Sequence, residues 1–229
     1  RKVVLTGGGT VGHVMLNKLL IPCFINKGVE PVYIGSKKGL EKEIIGATSI
    51  KYYNISSGKL RRYISAENFK DVFKVMRGVG DARKVLKKEQ VEFVFSKGGF
   101  VSVPVVLAAK SLGIPVYIHE SDITPGLANR IAGKFATKIY VTFKKTLEYV
   151  PKRKSEYLGP VIRDEHGVGP DGLDDERRQH HGRAAGRHLH PVAGGDPERL
   201  REPGVDLELR LGMLIDERAD AARLRAREV

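Results

Sequence analysis

At 229 residues the chain can form one large domain or two small ones, and its formal charge of +13 calls for an anionic partner: nucleic acid, a phosphorylated substrate or an acidic membrane surface. A single cysteine, Cys23, excludes an internal disulfide and fits a reducing compartment. No apolar run approaches the ~20 residues of a membrane span, so the expectation is a soluble cytoplasmic protein that touches a membrane surface.

Lys2–Thr6 reads as a buried strand, followed by the glycine loop Gly7–Gly12 and a helix from about His13 to Lys27, stopped by Gly28. Pro31–Ile34 is a second strand, Leu40–Ile45 a short helix ended by Gly46, and Lys51–Ile55 a third strand leading into the loop Ser56–Arg62. Ala66–Glu89 is a long helical stretch with candidate breaks at Gly78 and Gly80. Val91–Phe95 is the fourth strand, then the loop Ser96–Phe100 and a helix through Lys110. Ile114–Ile118, the segment His119–Pro125, a helix to about Lys134 and a sixth strand, Lys138–Thr142, complete the series. Repeated strand–loop–helix units with fully apolar strands predict an α/β fold, a Rossmann-like doubly wound parallel sheet covered on both faces. Ligands in such sheets bind at the carboxyl ends of the strands, where the glycine loops sit.

Composition breaks at Arg163. Up to that residue there are 21 Lys and 8 Arg against 3 Asp and 9 Glu, and all 16 aromatic residues. From Asp164 onward there is no Lys and no aromatic residue, and five of the seven His. The expected division is a domain over 1–163 and a poorly structured tail over 164–229, disordered or partly helical, because the tail has too little apolar side chain to bury a core. The two parts read as sequences of different origin. His180, His181, His188 and His190 match no ordinary zinc spacing, and neither metal nor cofactor is expected.

Three loops carry candidate chemistry. In Thr6–His13, glycines let the backbone approach a ligand closely, and amides at the following helix start face an anion. The dinucleotide fingerprint is not met, because no acid ends the second strand; Gly35-Ser36-Lys37-Lys38 stands there instead, which argues against an NAD enzyme. His13 closes this loop, where the positive end of a helix favours a neutral imidazole able to take up a proton; a capping or packing histidine is the other reading. In Ser96–Pro104, adjacent glycines again join a strand to a helix, with Ser102 placed to cap and Lys97 to meet a phosphate. His119-Glu120-Ser121-Asp122 offers hydrogen bonds to sugar hydroxyls, or helix capping through Ser121, Asp122 or Thr124 ahead of Pro125.

The segment Ser57–Lys88 holds ten basic residues interleaved with Leu60, Tyr63, Ile64, Phe69, Val72, Phe73, Met76 and Val79. Two readings stay open for it: a peripheral patch on anionic lipid, and an ordinary cover helix with Phe69, Val72, Phe73 and Met76 at core spacing. Nucleic-acid binding rests on charge alone, with no recognition motif, and is not expected.

Five motifs occur in a fixed order: Leu-Thr-Gly-Gly-Gly-Thr-x-Gly-His (5–13), Tyr-Ile-Gly-Ser (33–36), Ile-Ser-Ser-Gly-Lys-Leu-Arg-Arg-Tyr (55–63), Ser-Lys-Gly-Gly-Phe-Val-Ser-Val-Pro (96–104) and Ile-Pro-Val-x-Ile-His-Glu-Ser-Asp-x-Thr-Pro-Gly-Leu-Ala-Asn (114–129). On these the chain resembles the MurG family of lipid I N-acetylglucosaminyltransferases over residues 1–163. The resemblance implies the amino-terminal, acceptor half of a GT-B glycosyltransferase at the cytoplasmic face of the bacterial membrane, held peripherally. It implies UDP-GlcNAc and undecaprenyl-linked lipid I as substrates of an inverting transfer, and cell-wall synthesis or division proteins as partners. His13 is then the candidate general base. Thr10, Val11, Gly12, Asp122 and Arg163 match substrate-binding positions, and Gly8, Gly9, Gly98, Gly99, Phe100, Ser102 and Glu120 match the loops for the acceptor diphosphate. Val11, Met15, Leu16 and the linker Gly159-Pro160-Val161-Ile162-Arg163 depart from the family pattern. The donor-binding half is absent after Glu165, so the chain alone is expected to be weak or inactive; the alternative is a non-catalytic acceptor-binding module that needs a separate donor subunit.

Overall fold

The computed structural model describes residues 1–58 and 66–159, the side chains of 66–70 excepted. Strand β1 (Lys2–Gly7) leads through helix α1 (Val11–Asn26) to β2 (Glu30–Ser36), α2 (Leu40–Gly46), β3 (Lys51–Ile55), α3 (Ala66–Glu89), β4 (Phe93–Gly98), α4 (Ser102–Ser111), β5 (Val116–Glu120), α5 (Leu127–Phe135) and β6 (Lys138–Val141). Two short 3-10 turns precede a last strand, β7 (Ser155–Tyr157). All strands are parallel, in the order β3-β2-β1-β4-β5-β6-β7. The order reverses between β1 and β4, and such a switch point opens a crevice at the carboxyl ends of the two strands. The doubly wound parallel sheet expected from the sequence is therefore present. The seventh strand was not anticipated: Ser155-Glu156-Tyr157 is half-buried and too short to show a period. The boundary at Arg163 and the tail, with its five histidines, lie outside the described residues.

Each face of the sheet carries its own helices. Val4, Val32, Ile34, Val94, Val116, Ile118 and Ile139 pack with Ala82 and Leu86 of α3, and with Val105, Val106 and Ala109 of α4. On the other face, Phe24 of α1 meets Phe93 at 6.1 Å between ring centroids. Alternate residues of one strand thus enter different cores, which is why the strands are apolar throughout.

Two strands begin later than the sequence pattern predicts, and for one reason. Helix α3 closes with Gln90 at φ 52°, and the next residue, Val91, donates its amide to Leu86 O at 3.3 Å. Helix α4 closes with Gly113 at φ 70°, and Ile114 donates to Ala109 O at 2.9 Å. Helix α1 closes alike, with Gly28 at φ 69° and Val29 bonded to Phe24 O at 2.9 Å. In this closure the residue after the left-handed one is apolar and packs back on its own helix. Val91 and Ile114 belong to these closures, not to strands. Consequently Ser96, Lys97 and Gly98 lie within β4, and His119 and Glu120 within β5, where loops had been expected.

Helix α3 is continuous through Gly78 and Gly80. Gly78 has a packing role: a Cβ there would overlap the Ser56 carbonyl at the end of β3. Of the two readings open for this segment, the one that turned Val72, Phe73 and Met76 to the core does not hold. They are 48%, 72% and 66% exposed, whereas Val75, Ala82 and Leu86 are buried. At the amino edge of the sheet, Lys2 and Tyr53 hydrogen-bond the two oxygens of Glu89 at 2.6 and 2.5 Å and hold its carboxyl down at about 2.

Candidate functional site

The two glycine loops meet at the switch point. Gly7 and Gly98 are register partners, and the Gly8 amide donates to Gly98 O at 3.1 Å. Gly99, at φ 88°, lies against Gly8 so closely that a Cβ would overlap the Gly8 carbonyl oxygen. One amide expected to face an anion, that of Gly8, is thus used by the chain itself. The first amides of α1 have no intrahelical acceptor, and Gly9, Thr10, Val11 and Gly12 are exposed there. Helix α1 begins two residues earlier than predicted because Thr10 is its cap, with Oγ1 accepting the His13 amide at 3.4 Å.

The first loop is fixed from below by buried polar groups. Tyr33 donates its hydroxyl to Gly7 O at 2.7 Å, and Asn17 Nδ2 donates to Thr6 O at 3.1 Å. Tyr33 stacks on Tyr52 at 5.7 Å, and burial pushes both phenols up.

His13 Nδ1 lies 3.0 Å from Gly8 O. A carbonyl only accepts, so Nδ1 is the donor of this pair, and in the neutral tautomer that makes this bond Nε2 is the nitrogen with the lone pair. The ring is half-buried. This orientation meets the geometric need of a base beside the glycine loop.

The second loop differs from expectation in two residues. Ser102 is buried and does not cap: it is the first helical residue, and its hydroxyl donates to Gly99 O at 2.7 Å. Lys97 is only 3% exposed, and its Nζ donates to Ser121 Oγ at 2.8 Å. Burial pushes its pKa down, while Glu120 and Asp122 pull it back up. Phe100 is half exposed at the rim.

The third segment is a brace. Glu120 is buried; its Oε1 accepts the Asp122 amide at 2.9 Å and its Oε2 accepts Asn129 Nδ2 at 2.9 Å. Asp122 itself is exposed. Helix α5 is capped by Gly126, so Ser121, Asp122 and Thr124 do not cap it. His119 is 2% exposed and faces Thr142 Oγ1 at 3.5 Å. Arg163 lies outside the described residues.

Burial pushes His119 down to about 3 from the ordinary 6.5. The unfolded chain therefore binds a proton that the folded chain refuses between these values, and stability falls as pH drops from 6.5 toward 3, by up to about 1.4 kcal/mol per pH unit. Glu89 adds its own loss only below 4.5. Thermal unfolding between pH 6.5 and 4.5 should thus show a steeper acid slope for the parent chain than for His119→Gln; equal slopes would remove His119 as the cause.

A cavity of about 550 Å³ opens beside the first loop, lined by Gly8, Gly9, Phe100 and Val101, and by Ser36, Lys37, Lys38, Gly39, Leu40, Glu41, Ser57 and Gly58. The last eight were not among the predicted site residues. Glu41 is the instructive miss. No acid ends β2 in sequence, but Glu41 returns from α2 to its end, where Oε1 accepts Ser36 N at 3.0 Å and Ser36 Oγ at 2.6 Å. The pattern Gly35-Ser36-x-x-Gly39-x-Glu41 was the available signal.

Residues 3–141 match the family model described as glycosyltransferase family 28 N-terminal domain. The chain is 64% identical, over 166 residues, to the Staphylococcus aureus UDP-N-acetylglucosamine--N-acetylmuramyl-(pentapeptide) pyrophosphoryl-undecaprenol N-acetylglucosamine transferase, covering 72% of this chain and 47% of that protein. It therefore spans about half the length of the curated relatives it matches. Among solved structures it resembles Acinetobacter baumannii MurG, with TM-score 0.60 and 25% identity over 72% of this chain and 46% of that one. It also shares the fold of Methanocaldococcus jannaschii UDP-GlcNAc 2-epimerase, with TM-score 0.52 and 14% identity over 69% of this chain and 45% of that one.

Proposed function

We propose, for a chain that belongs to glycosyltransferase family 28, that residues 1–163 form the acceptor half of an inverting transferase that moves N-acetylglucosamine from UDP-N-acetylglucosamine to the muramic acid 4-hydroxyl of lipid I. The observation that carries this reading is the hydrogen-bonded meeting of two glycine loops at the switch point, with exposed first-turn amides and His13 beside them. Thr10, Val11 and Gly12 face the donor. Gly8, Gly9, Gly98, Gly99 and Phe100 shape the diphosphate cradle, Ser102 and Glu120 hold its backbone, and Asp122 and Arg163 complete the substrate contacts. His13 Nε2 takes the proton of the 4-hydroxyl as its oxygen bonds to the anomeric carbon and the bond to UDP breaks. Stabilising the leaving UDP falls to a donor half that residues 164–229 do not resemble.

Isothermal titration of the chain with UDP-N-acetylglucosamine and with a soluble lipid I analogue tests the division. The expected result is acceptor binding without donor binding, and negligible transfer by the chain alone. Donor binding of equal strength, or clear turnover, would overturn it.

A second reading is a non-catalytic acceptor-binding module that works with a separate donor subunit. Co-purification with such a subunit would select it. In both readings the exposed apolar residues of α3, amid Lys74 and Arg77, seat the domain on the anionic cytoplasmic face of the membrane. Among the described residues no helix is long and apolar enough to cross a membrane. Cell-wall synthesis and division proteins are the expected company of such an enzyme.

A further inference from the structure

We infer that the cavity beside the first glycine loop is a sugar-phosphate subsite, in which Lys37 and Lys38 take the phosphate and Glu41 takes a sugar hydroxyl. The inference deepens the acceptor reading and rests on it for the identity of the ligand. Its physical footing is the way charge is divided across the cavity.

At about 550 Å³ the cavity suits a sugar phosphate. The cations on its wall, Lys37 and Lys38, are exposed and have no hydrogen bond or ion pair among the described residues. Lys97, the cation that the sequence offered for this task, is buried and bonded to Ser121. The cationic contact to the phosphate is therefore assigned to the turn after β2, beside the backbone cradle of the glycine loops.

Glu41 supplies the opposite pole. It is 1% exposed, and its Oε1 is occupied by Ser36. Its Oε2 is buried without a partner. A buried acceptor left unpaired is costly, and a ligand hydroxyl relieves that cost. The carboxylate stands at the end of β2 next to the phosphate loop, the place from which an acid binds ribose hydroxyls in dinucleotide folds. Gly8 and Gly39 pack directly on this carboxylate and fix its place in the wall: a Cβ on Gly8 would lie 2.7 Å from it, and one on Gly39 would overlap it. A carboxylate on the wall and ammonium groups at the rim admit a sugar phosphate in one orientation only, hydroxyls inward and phosphate outward.

The cavity also adjoins α3. Gly58 lines the cavity, and a Cβ on it would lie 2.5 Å from the Asp71 carbonyl oxygen, one residue before Val72.

The test is calorimetric titration of the 229-residue chain with geranyl diphosphate, with geranyl-diphospho-N-acetylmuramic acid and with UDP-N-acetylglucosamine, with thermal unfolding to confirm that variants fold. Lys37→Ala/Lys38→Ala should weaken both geranyl ligands by roughly tenfold or more and flatten their salt dependence. Glu41→Gln should leave geranyl diphosphate unchanged and weaken the sugar-bearing ligand by roughly tenfold, a selectivity change that a merely structural carboxylate would not produce. If the parent chain binds the sugar-bearing ligand and both variants match it, the subsite is wrong and the acceptor reading stands. If the parent binds UDP-N-acetylglucosamine instead, in a lysine-dependent way, the subsite stands and the acceptor assignment falls. Binding of none of the three ligands overturns both.

Discussion

Replacing Gly99 by alanine should abolish binding of a lipid I analogue and lower the stability of the domain by about 1–3 kcal/mol or more. Two costs combine. Gly99 has φ 88°, a conformation that alanine adopts only under strain. The added methyl would also overlap the Gly8 carbonyl oxygen, so the loops must separate. Separation breaks the bond from the Gly8 amide to Gly98 O and frees Gly8 O from His13 Nδ1. The predicted signature is therefore joint: a lower melting temperature, lost ligand binding and an altered His13 tautomer by nitrogen-detected NMR. Gly113, also at positive φ but with open space around its Cβ position, is the control. Gly113→Ala should lose stability alone. Unchanged ligand affinity in Gly99→Ala would detach the loop junction from the site.

The second large effect is expected on membranes. Phe73→Ser/Met76→Ser should reduce partition of the chain onto anionic vesicles by about tenfold to a hundredfold while leaving its melting temperature unchanged. Fully burying a large apolar side chain is worth about 1.5–3 kcal/mol, and partial insertion of two such groups gives a loss of this order. Both side chains are largely exposed, so removing them costs the fold little. Nearby Lys74 and Arg77 add roughly 1 kcal/mol each near an anionic surface, and salt screens that part. Vesicle co-sedimentation at two ionic strengths separates the contributions. The parent should lose binding with salt, and the serine variant should bind weakly at both. Equal partition of parent and variant would remove α3 as the membrane contact.

The sheet was legible in the sequence because parallel strands buried on both faces appear as short apolar runs between glycine stops, and six of these were read. The ends of two strands were not legible. Val91 and Ile114 have the same apolar character whether they close a helix or open a strand, and only the left-handed residue before each decides. Gly113 gives that signal in sequence; Gln90 does not. The helical period of α3 was visible but its phase was not, so an inward and an outward placement of Phe73 and Met76 both stayed open, although Val75, Ala82 and Leu86 take the inward role. The glycine loops and His13 could be singled out as candidates because adjacent glycines and a following helix leave a local pattern. Glu41 was missed because its carboxylate reaches Ser36 only after α2 has turned back on β2. The burial of Lys97 was likewise hidden, since Ser121 lies just past the end of the neighbouring strand β5.

The contact between Gly99 and Gly8 has a consequence for how these loops can change over evolutionary time. What blocks a side chain at position 99 is a main-chain oxygen, which every amino acid carries. No exchange at position 8 can make room, so the two loops have no compensating partner substitution and must be inherited as one unit.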